Sequence, residues 1–226
     1  MQKSAWIIVF IFLLLANLVS IYLNNDTLRS ISKPLLMPVL TIYFFIQTRR
    51  APTPLKAWII LALVFSWLGD VLLMFEERNS AFFLLGLSAF FVAQVFYIVF
   101  FHNIRMKEHI RGNALLLLVV IVYYFILISI ISPHLGNMKL PVRIYGVVLS
   151  FMVMLAMHTM FSKNKRAGWW MMIGAILFVV SDSMLAFNKF YATFSSAGVT
   201  IMLTYGLAQL FITGGAATYI REETLD

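Results

Sequence analysis

Eight long apolar segments, separated by short polar ones, run through the 226-residue sequence. A helix that crosses a membrane needs about 20 consecutive, predominantly apolar residues. The segments that meet this length lie near residues 5–23, 33–47, 57–75, 81–101, 114–132, 142–161, 168–187 and 197–220. We therefore predict an all-α membrane protein whose eight transmembrane helices form one bundle and a single domain, residues 1–226.

The composition excludes a soluble domain. Hydrophobic residues make up 62% of the chain and charged residues only 12%, whereas charged residues supply about a quarter of a typical soluble protein. The net charge of +8 would suit a nucleic-acid-binding protein, but the basic residues lie at the ends of apolar segments, where they orient a membrane protein. We expect membrane lipids, and no nucleic acid, as partners.

The distribution of Lys and Arg predicts the topology. With the N-terminus inside, the inner loops and termini carry eleven basic residues and the outer loops six. Positive charges concentrate on the cytoplasmic side of membrane proteins. The sequence thus predicts a multi-pass protein with both termini in the cytoplasm, and the expected location is the bacterial inner membrane.

Two aspartates, Asp70 and Asp182, lie inside apolar segments and in similar surroundings. Each follows a small residue directly and precedes a phenylalanine by five positions. A carboxylate at membrane depth is costly and persists mainly in a bundle interior, where it has partners and often a function. The matched contexts predict one site with two acids. The simpler alternative is that each aspartate only hydrogen-bonds to a tyrosine of a neighbouring helix.

A second pair of matched segments suggests an internal duplication. Gln94 follows Asp70 by 24 positions, and Gln209 follows Asp182 by 27. The pattern fits two parallel four-helix repeats, residues 1–101 and 114–220, related by an axis along the membrane normal. The duplication would place both acids at one depth, in the outer half of the bilayer.

Other polar side chains are predicted at that depth and are candidates for binding a substrate. They are Asn17, Lys33, Arg143, Tyr145, Ser181, Tyr205 and Gln209. Lys33 is expected to open the second helix, with Pro34 and Pro38 in its first turns. Lys33 and Arg143 could instead be interfacial anchors that reach the headgroups, and the tyrosines could be ordinary packing residues. Gln94 and Tyr97 are expected nearer the inner side.

An ordered set of motifs connects the chain with a known family. The motifs are Lys33-Pro34, Phe65-Ser66-x-x-Gly69-Asp70, Gly86…Phe90…Tyr97, Phe178-x-x-Ser181-Asp182 and Tyr205-x-x-Ala208-Gln209. From the second helix to the eighth, the chain resembles the YhhN-like lysoplasmalogenases. It departs from the family pattern at Gln94, a position where histidine is frequent.

The resemblance implies an integral membrane hydrolase that cleaves the vinyl ether bond of lysoplasmalogens into a fatty aldehyde and a glycerophospho-base. Such a bond is hydrolysed through protonation of its β-carbon and an oxocarbenium-like centre, for which two carboxyl groups in unlike environments are suited, as in glycosidases. Asp70 and Asp182 are the expected catalytic pair, and the sequence does not say which is the acid. We expect no cofactor and no metal, since the four histidines lack metal-ligand spacing.

A small-molecule or proton-coupled transporter is the main alternative. Transporters also show internal repeats and intramembrane acids. However, the segments around the two aspartates lack the Gly and Pro interruptions that are typical of broken transporter helices. A non-catalytic lipid-binding protein is a third reading, in which the matched acids would have no evident purpose. The oligomeric state is left open.

Overall fold

A computed structural model describes residues 2–223, and the side chains of residues 5–222. The helices are α1 (Gln2–Tyr22), α2 (Asp26–Thr48), α3 (Leu55–Leu73), α4 (Ala81–Lys107), α5 (Ala114–Ile131), α6 (Lys139–His158), α7 (Lys165–Phe190) and α8 (Ala197–Glu223). Short 3-10 turns follow α5 and α6, and all regular structure in the described residues is helical. Each of the eight helices is long and apolar enough to cross a membrane. The predicted all-α, multi-pass membrane architecture is confirmed.

The second helix is longer than its apolar segment. It begins at Asp26, where the side chain of Asn25 accepts a hydrogen bond of 2.9 Å from the backbone N–H of Leu28. Our expectation that Lys33 opens this helix was wrong, because the first two turns are polar and a hydropathy pattern does not register them. Lys33 and the two prolines consequently lie inside the helix and not in its first turns.

Pro38 creates a contact between α2 and α3. A proline has no N–H, so the carbonyl four residues earlier lacks its helical donor. For Pro38 that carbonyl belongs to Pro34, and the indole Nε1 of Trp67 donates a hydrogen bond of 2.9 Å to it. Trp67 precedes Asp70 by three residues and Pro34 follows Lys33 directly, so this bond brings Lys33 and Asp70 to the same level.

Glycines let the helices that carry the aspartates approach their neighbours closely. A Cβ atom at Gly69 would lie 2.6 Å from the ring of Phe90 on α4. A Cβ atom at Gly174 on α7 would lie 2.7 Å from the backbone nitrogen of Ile212 on α8. Small residues at helix contacts are typical of membrane bundles. The helices that carry Asp70 and Asp182 therefore each pack closely against a neighbour, α3 against α4 and α7 against α8. The proposed duplication itself stays a prediction.

Candidate functional site

A polar cavity of about 180 Å³ lies between α1, α2, α3, α7 and α8, with Phe90 of α4 in its wall. Asp70 and Asp182 both line it, as do Lys33 and Tyr205. The helices thus bring to one cavity two acids that are 112 positions apart in the sequence.

Both carboxylate oxygens of Asp70 have partners. The Nζ of Lys33 lies 3.8 Å from Oδ1, and the hydroxyl of Tyr205 donates a hydrogen bond of 2.7 Å to Oδ2. Asp70 is only 2% exposed and Lys33 only 7%. A buried charge pair of this kind compensates two charges that would each be costly alone. Lys33 is therefore a partner of Asp70 and does not reach out to the headgroups as an interfacial anchor.

Asp182 has a different environment. It is half-buried, and the hydroxyl of Tyr145 on α6 donates a short hydrogen bond to its Oδ2. Among the described residues, no donor contacts Oδ1 of Asp182. One acid thus pairs with a cation and a hydroxyl, and the other has a single neutral donor and one carboxylate oxygen without a donor.

A buried hydrogen-bond network adjoins Asp70 one helical turn away. The hydroxyl of Tyr97 donates to Oε1 of Gln209 over 2.6 Å, and Nε2 of Gln209 donates to the hydroxyl of Ser66 over 3.0 Å. The same Nε2 lies 3.4 Å from the hydroxyl of Tyr205. The amide of Gln209 therefore connects α3, α4 and α8 behind the tyrosine that contacts Asp70.

Two members of this network were not among the predicted site residues. Ser66 precedes Asp70 by four positions and so lies on the same face of α3, a spacing that could have identified it. Tyr97, which we expected nearer the inner side, reaches Gln209 because its long side chain extends between helices. Gln94 is fully buried, and within the described residues neither atom of its amide has a hydrogen-bond partner.

Three predicted binding residues have their polar groups bonded to other parts of the protein, although Ser181 itself lines the cavity. Nδ2 of Asn17 donates to the hydroxyl of Ser32 over 3.0 Å, and the hydroxyl of Ser181 donates to the carbonyl of Ile201 over 3.0 Å. Arg143 is exposed and donates to the hydroxyl of Ser132 over 2.7 Å. Arg143 and Tyr145 are two positions apart on α6, so they point to different faces; only Tyr145 reaches an aspartate.

The wall of the cavity also carries charged and polar residues that the sequence did not indicate. Arg29 and Glu76 line it together with Asn188. Arg29 is exposed, and Glu76 forms an ion pair of 3.3 Å with Lys189. Arg29 lies in the first turns of α2, which the apolar pattern did not identify as helical.

The arrangement can perform acid–base chemistry on a ligand that enters the cavity. It offers two carboxyl groups with different partners, a lysine, and two tyrosine hydroxyls. Within residues 2–223, no three His, Asp or Glu side chains come together as a metal site.

Comparison with known proteins agrees with the motifs. The model of the YhhN family matches residues 28–216. A lysoplasmalogenase of Mycobacterium bovis is 31% identical over 163 residues, which cover 71% of this chain and 60% of that protein. The lysoplasmalogenase TMEM86B of Rattus norvegicus is 33% identical over 178 residues, 78% of this chain and 68% of the relative. The human TMEM86B is 33% identical over 153 residues, 67% of this chain and 60% of the relative.

These similarities cover most of the chain and part of the relatives. The match to the mycobacterial protein spans about 60% of that protein's length. No solved structure gives a significant match. The matched region contains α3 to α7, Lys33 and most of α8, and so includes both aspartates with the residues that contact them. The chain belongs to the YhhN family.

Proposed function

We propose that this protein is a hydrolase that cleaves the vinyl ether bond of lysoplasmalogens, with Asp70 and Asp182 as its catalytic pair. Relatives in the family carry the name lysoplasmalogenase. The observation that carries the proposal is the cavity lined by two carboxyl groups whose partners differ. A reaction that needs one proton donor and one stabilising negative charge requires such a pair.

Asp182 is the proposed proton donor. Asp70 lies beside the Lys33 ammonium and accepts a hydrogen bond from Tyr205, and both partners favour a negative charge on it over a proton. Oδ1 of Asp182 has no protein donor among the described residues, while Tyr145 holds Oδ2. Asp182 can thus present a proton on Oδ1 to the cavity in a fixed orientation.

The proposed reaction begins with transfer of the Asp182 proton to the β-carbon of the vinyl ether. The electron pair of the double bond forms the new C–H bond, and positive charge develops on the α-carbon and the ether oxygen. Water then adds to the α-carbon and gives its proton to Asp182, which restores the acid. The resulting hemiacetal transfers its hydroxyl proton to the ether oxygen, and the C–O bond breaks to give a fatty aldehyde and a glycerophospho-base.

Asp70 and its partners support the charged intermediate. The carboxylate, held in place by Lys33 and Tyr205, offers a fixed negative charge to the oxocarbenium-like centre, and preorganised charges of this kind are an effective means of catalysis. The polar wall suits a zwitterionic headgroup: Arg29 can bind the phosphate, and Glu76 can bind an ammonium group.

Product analysis tests the proposed function. The purified protein in detergent is given 1-O-hexadecenyl glycerophosphoethanolamine in D2O, and the products are identified by mass spectrometry. We expect equal amounts of hexadecanal and glycerophosphoethanolamine. The hexadecanal should carry one deuterium, on the carbon adjacent to its aldehyde group. The matched alkyl ether, which has no double bond, is the control and should remain intact. Absence of aldehyde, or cleavage of the alkyl ether at the same rate, would contradict the proposal.

A further inference from the structure

A second, apolar cleft meets the polar cavity at Asp182. It has a volume of about 50 Å³ and lies between α3, α4, α6 and α7, partly open at the surface of the bundle. Leu73, Phe90, Asp182 and Leu185 line both spaces. The two spaces therefore adjoin, and the carboxyl group of Asp182 stands at the boundary between a polar and an apolar compartment.

The remaining wall of the cleft is almost entirely hydrocarbon. Leu87 on α4, Val142 on α6 and Ala186 on α7 line it. Phe83 and Phe190 lie at the end nearest the loops, edge to face with ring centroids 5.8 Å apart. Tyr145 also borders the cleft, but its hydroxyl is directed to Asp182. A surface of this composition favours an aliphatic chain over any polar ligand.

We infer that this cleft binds the first carbons of the substrate's alkenyl chain, while the headgroup lies in the polar cavity. The inference rests on the proposed function, and it adds the location of the substrate's chain. The cleft is small, so it accommodates only a short stretch of chain, and the rest of a long chain extends from its open side into the lipid. The vinyl ether, which joins chain and headgroup, then lies at the boundary that Asp182 occupies.

This placement explains why Asp182, the proposed proton donor, borders the apolar cleft that holds the alkenyl chain. In a vinyl ether the β-carbon is the atom nearer the chain and the oxygen is the atom nearer the glycerol. A substrate with its chain in the cleft presents the β-carbon to Asp182. Its oxygen and glycerophosphate point towards the cavity that holds Asp70 and Lys33. The position of the cleft thus predicts that the β-carbon is the atom protonated. It also predicts that kcat/KM depends on the substrate's alkenyl chain.

A matched pair of variants on one helix tests the inference. Val142→Phe places a ring in the cleft, whereas Val147→Phe makes the same substitution at a site on α6 that is 43% exposed and outside both spaces around Asp182. Each variant is assayed with two substrates that share a headgroup, one with a hexadecenyl chain and one with an ethenyl group, whose chain ends at the double bond.

We expect Val142→Phe to lower kcat/KM for the hexadecenyl substrate by about tenfold, because losses of this size accompany a poor fit in an apolar pocket. Its kcat/KM for the ethenyl substrate should change by less than roughly twofold, and Val147→Phe should affect neither substrate. Equal losses on both substrates, or the same effect from Val147→Phe, would overturn the inference.

A second measurement does not depend on turnover. A lysophosphatidylethanolamine that carries a photoreactive diazirine on the third chain carbon is cross-linked to the wild type, and the labelled peptides are identified. Saturable labelling near Leu87, Val142 and Ala186 supports the chain site even in a protein that releases no aldehyde. Labelling confined to α1 and α8 would overturn the chain site and leave the proposed hydrolysis standing.

Discussion

The indole N–H of Trp67 donates a hydrogen bond of 2.9 Å to the carbonyl oxygen of Pro34, which Pro38 leaves without a helical donor. This bond lies beside the 3.8 Å contact between Lys33 and Asp70. A proline that costs α2 one internal hydrogen bond thereby provides the acceptor that aligns α2 with α3. The hydrogen bond thus contributes to the alignment of the proposed charge pair.

Trp67→Phe removes the indole N–H and keeps an aromatic ring. A hydrogen bond of this kind contributes about 1 kcal/mol, so we expect kcat/KM for the lysoplasmalogen to fall by about fivefold. Trp58→Phe is the matched control, because Trp58 lies on the same helix and its ring stacks on Phe96 at 6.1 Å. Equal activity of the Trp67 variant and the wild type would show that the bond does not position the site.

The pairing of Lys33 with Asp70 predicts coupled effects on stability. Removing one member of a buried pair leaves the other charge without a partner. Removing both members leaves no buried charge. In a cycle of Lys33→Gln, Asp70→Asn and the double variant, thermal unfolding in detergent should give a coupling free energy of about 1 kcal/mol or more.

The exposed pair Lys189–Glu76 provides the control for that cycle. Its charges are 3.3 Å apart but 40% and 32% exposed, and exposed ion pairs contribute little. The cycle of Lys189→Gln and Glu76→Gln should therefore give a coupling energy near zero. Additive effects of the Lys33 and Asp70 substitutions would be evidence against a functional charge pair.

Apolar substitution of two buried polar residues one turn apart on α8 should have different effects on thermal stability. Gln209→Leu leaves the hydroxyls of Tyr97 and Ser66 without the partner that the amide provides, and each such buried group costs about 1–3 kcal/mol. The Oγ1 of Thr213 has no partner among the described residues, so Thr213→Val should leave the melting temperature unchanged or raise it. Equal destabilisation by both variants would contradict the assigned role of Gln209.

The helices, and the position of two aspartates inside them, could be predicted from the sequence because both depend on simple patterns. Apolar segments long enough to span a membrane are visible in any window of the sequence, and a carboxyl inside one requires an interior partner. The matched contexts of Asp70 and Asp182 therefore predicted residues that the fold brings to one cavity.

Which side chains meet across two helices depends on the rotation and tilt of those helices, and a hydropathy pattern gives no information on either. The apolar pattern could not show that Arg143 faces Ser132 while Tyr145, two residues later, faces Asp182. It also missed the polar first turns of α2 and with them Arg29.

The rate of aldehyde release by Asp182→Asn tests the central claim most directly. An amide cannot transfer a proton to carbon, so we expect kcat to fall by at least about 10²-fold, the lower range of general acid catalysis. Asp26→Asn, at the exposed start of α2, should keep the wild-type rate, and both proteins should elute alike in size-exclusion chromatography. A folded Asp182→Asn variant that releases aldehyde at the wild-type rate would contradict the assignment of Asp182 as the acid.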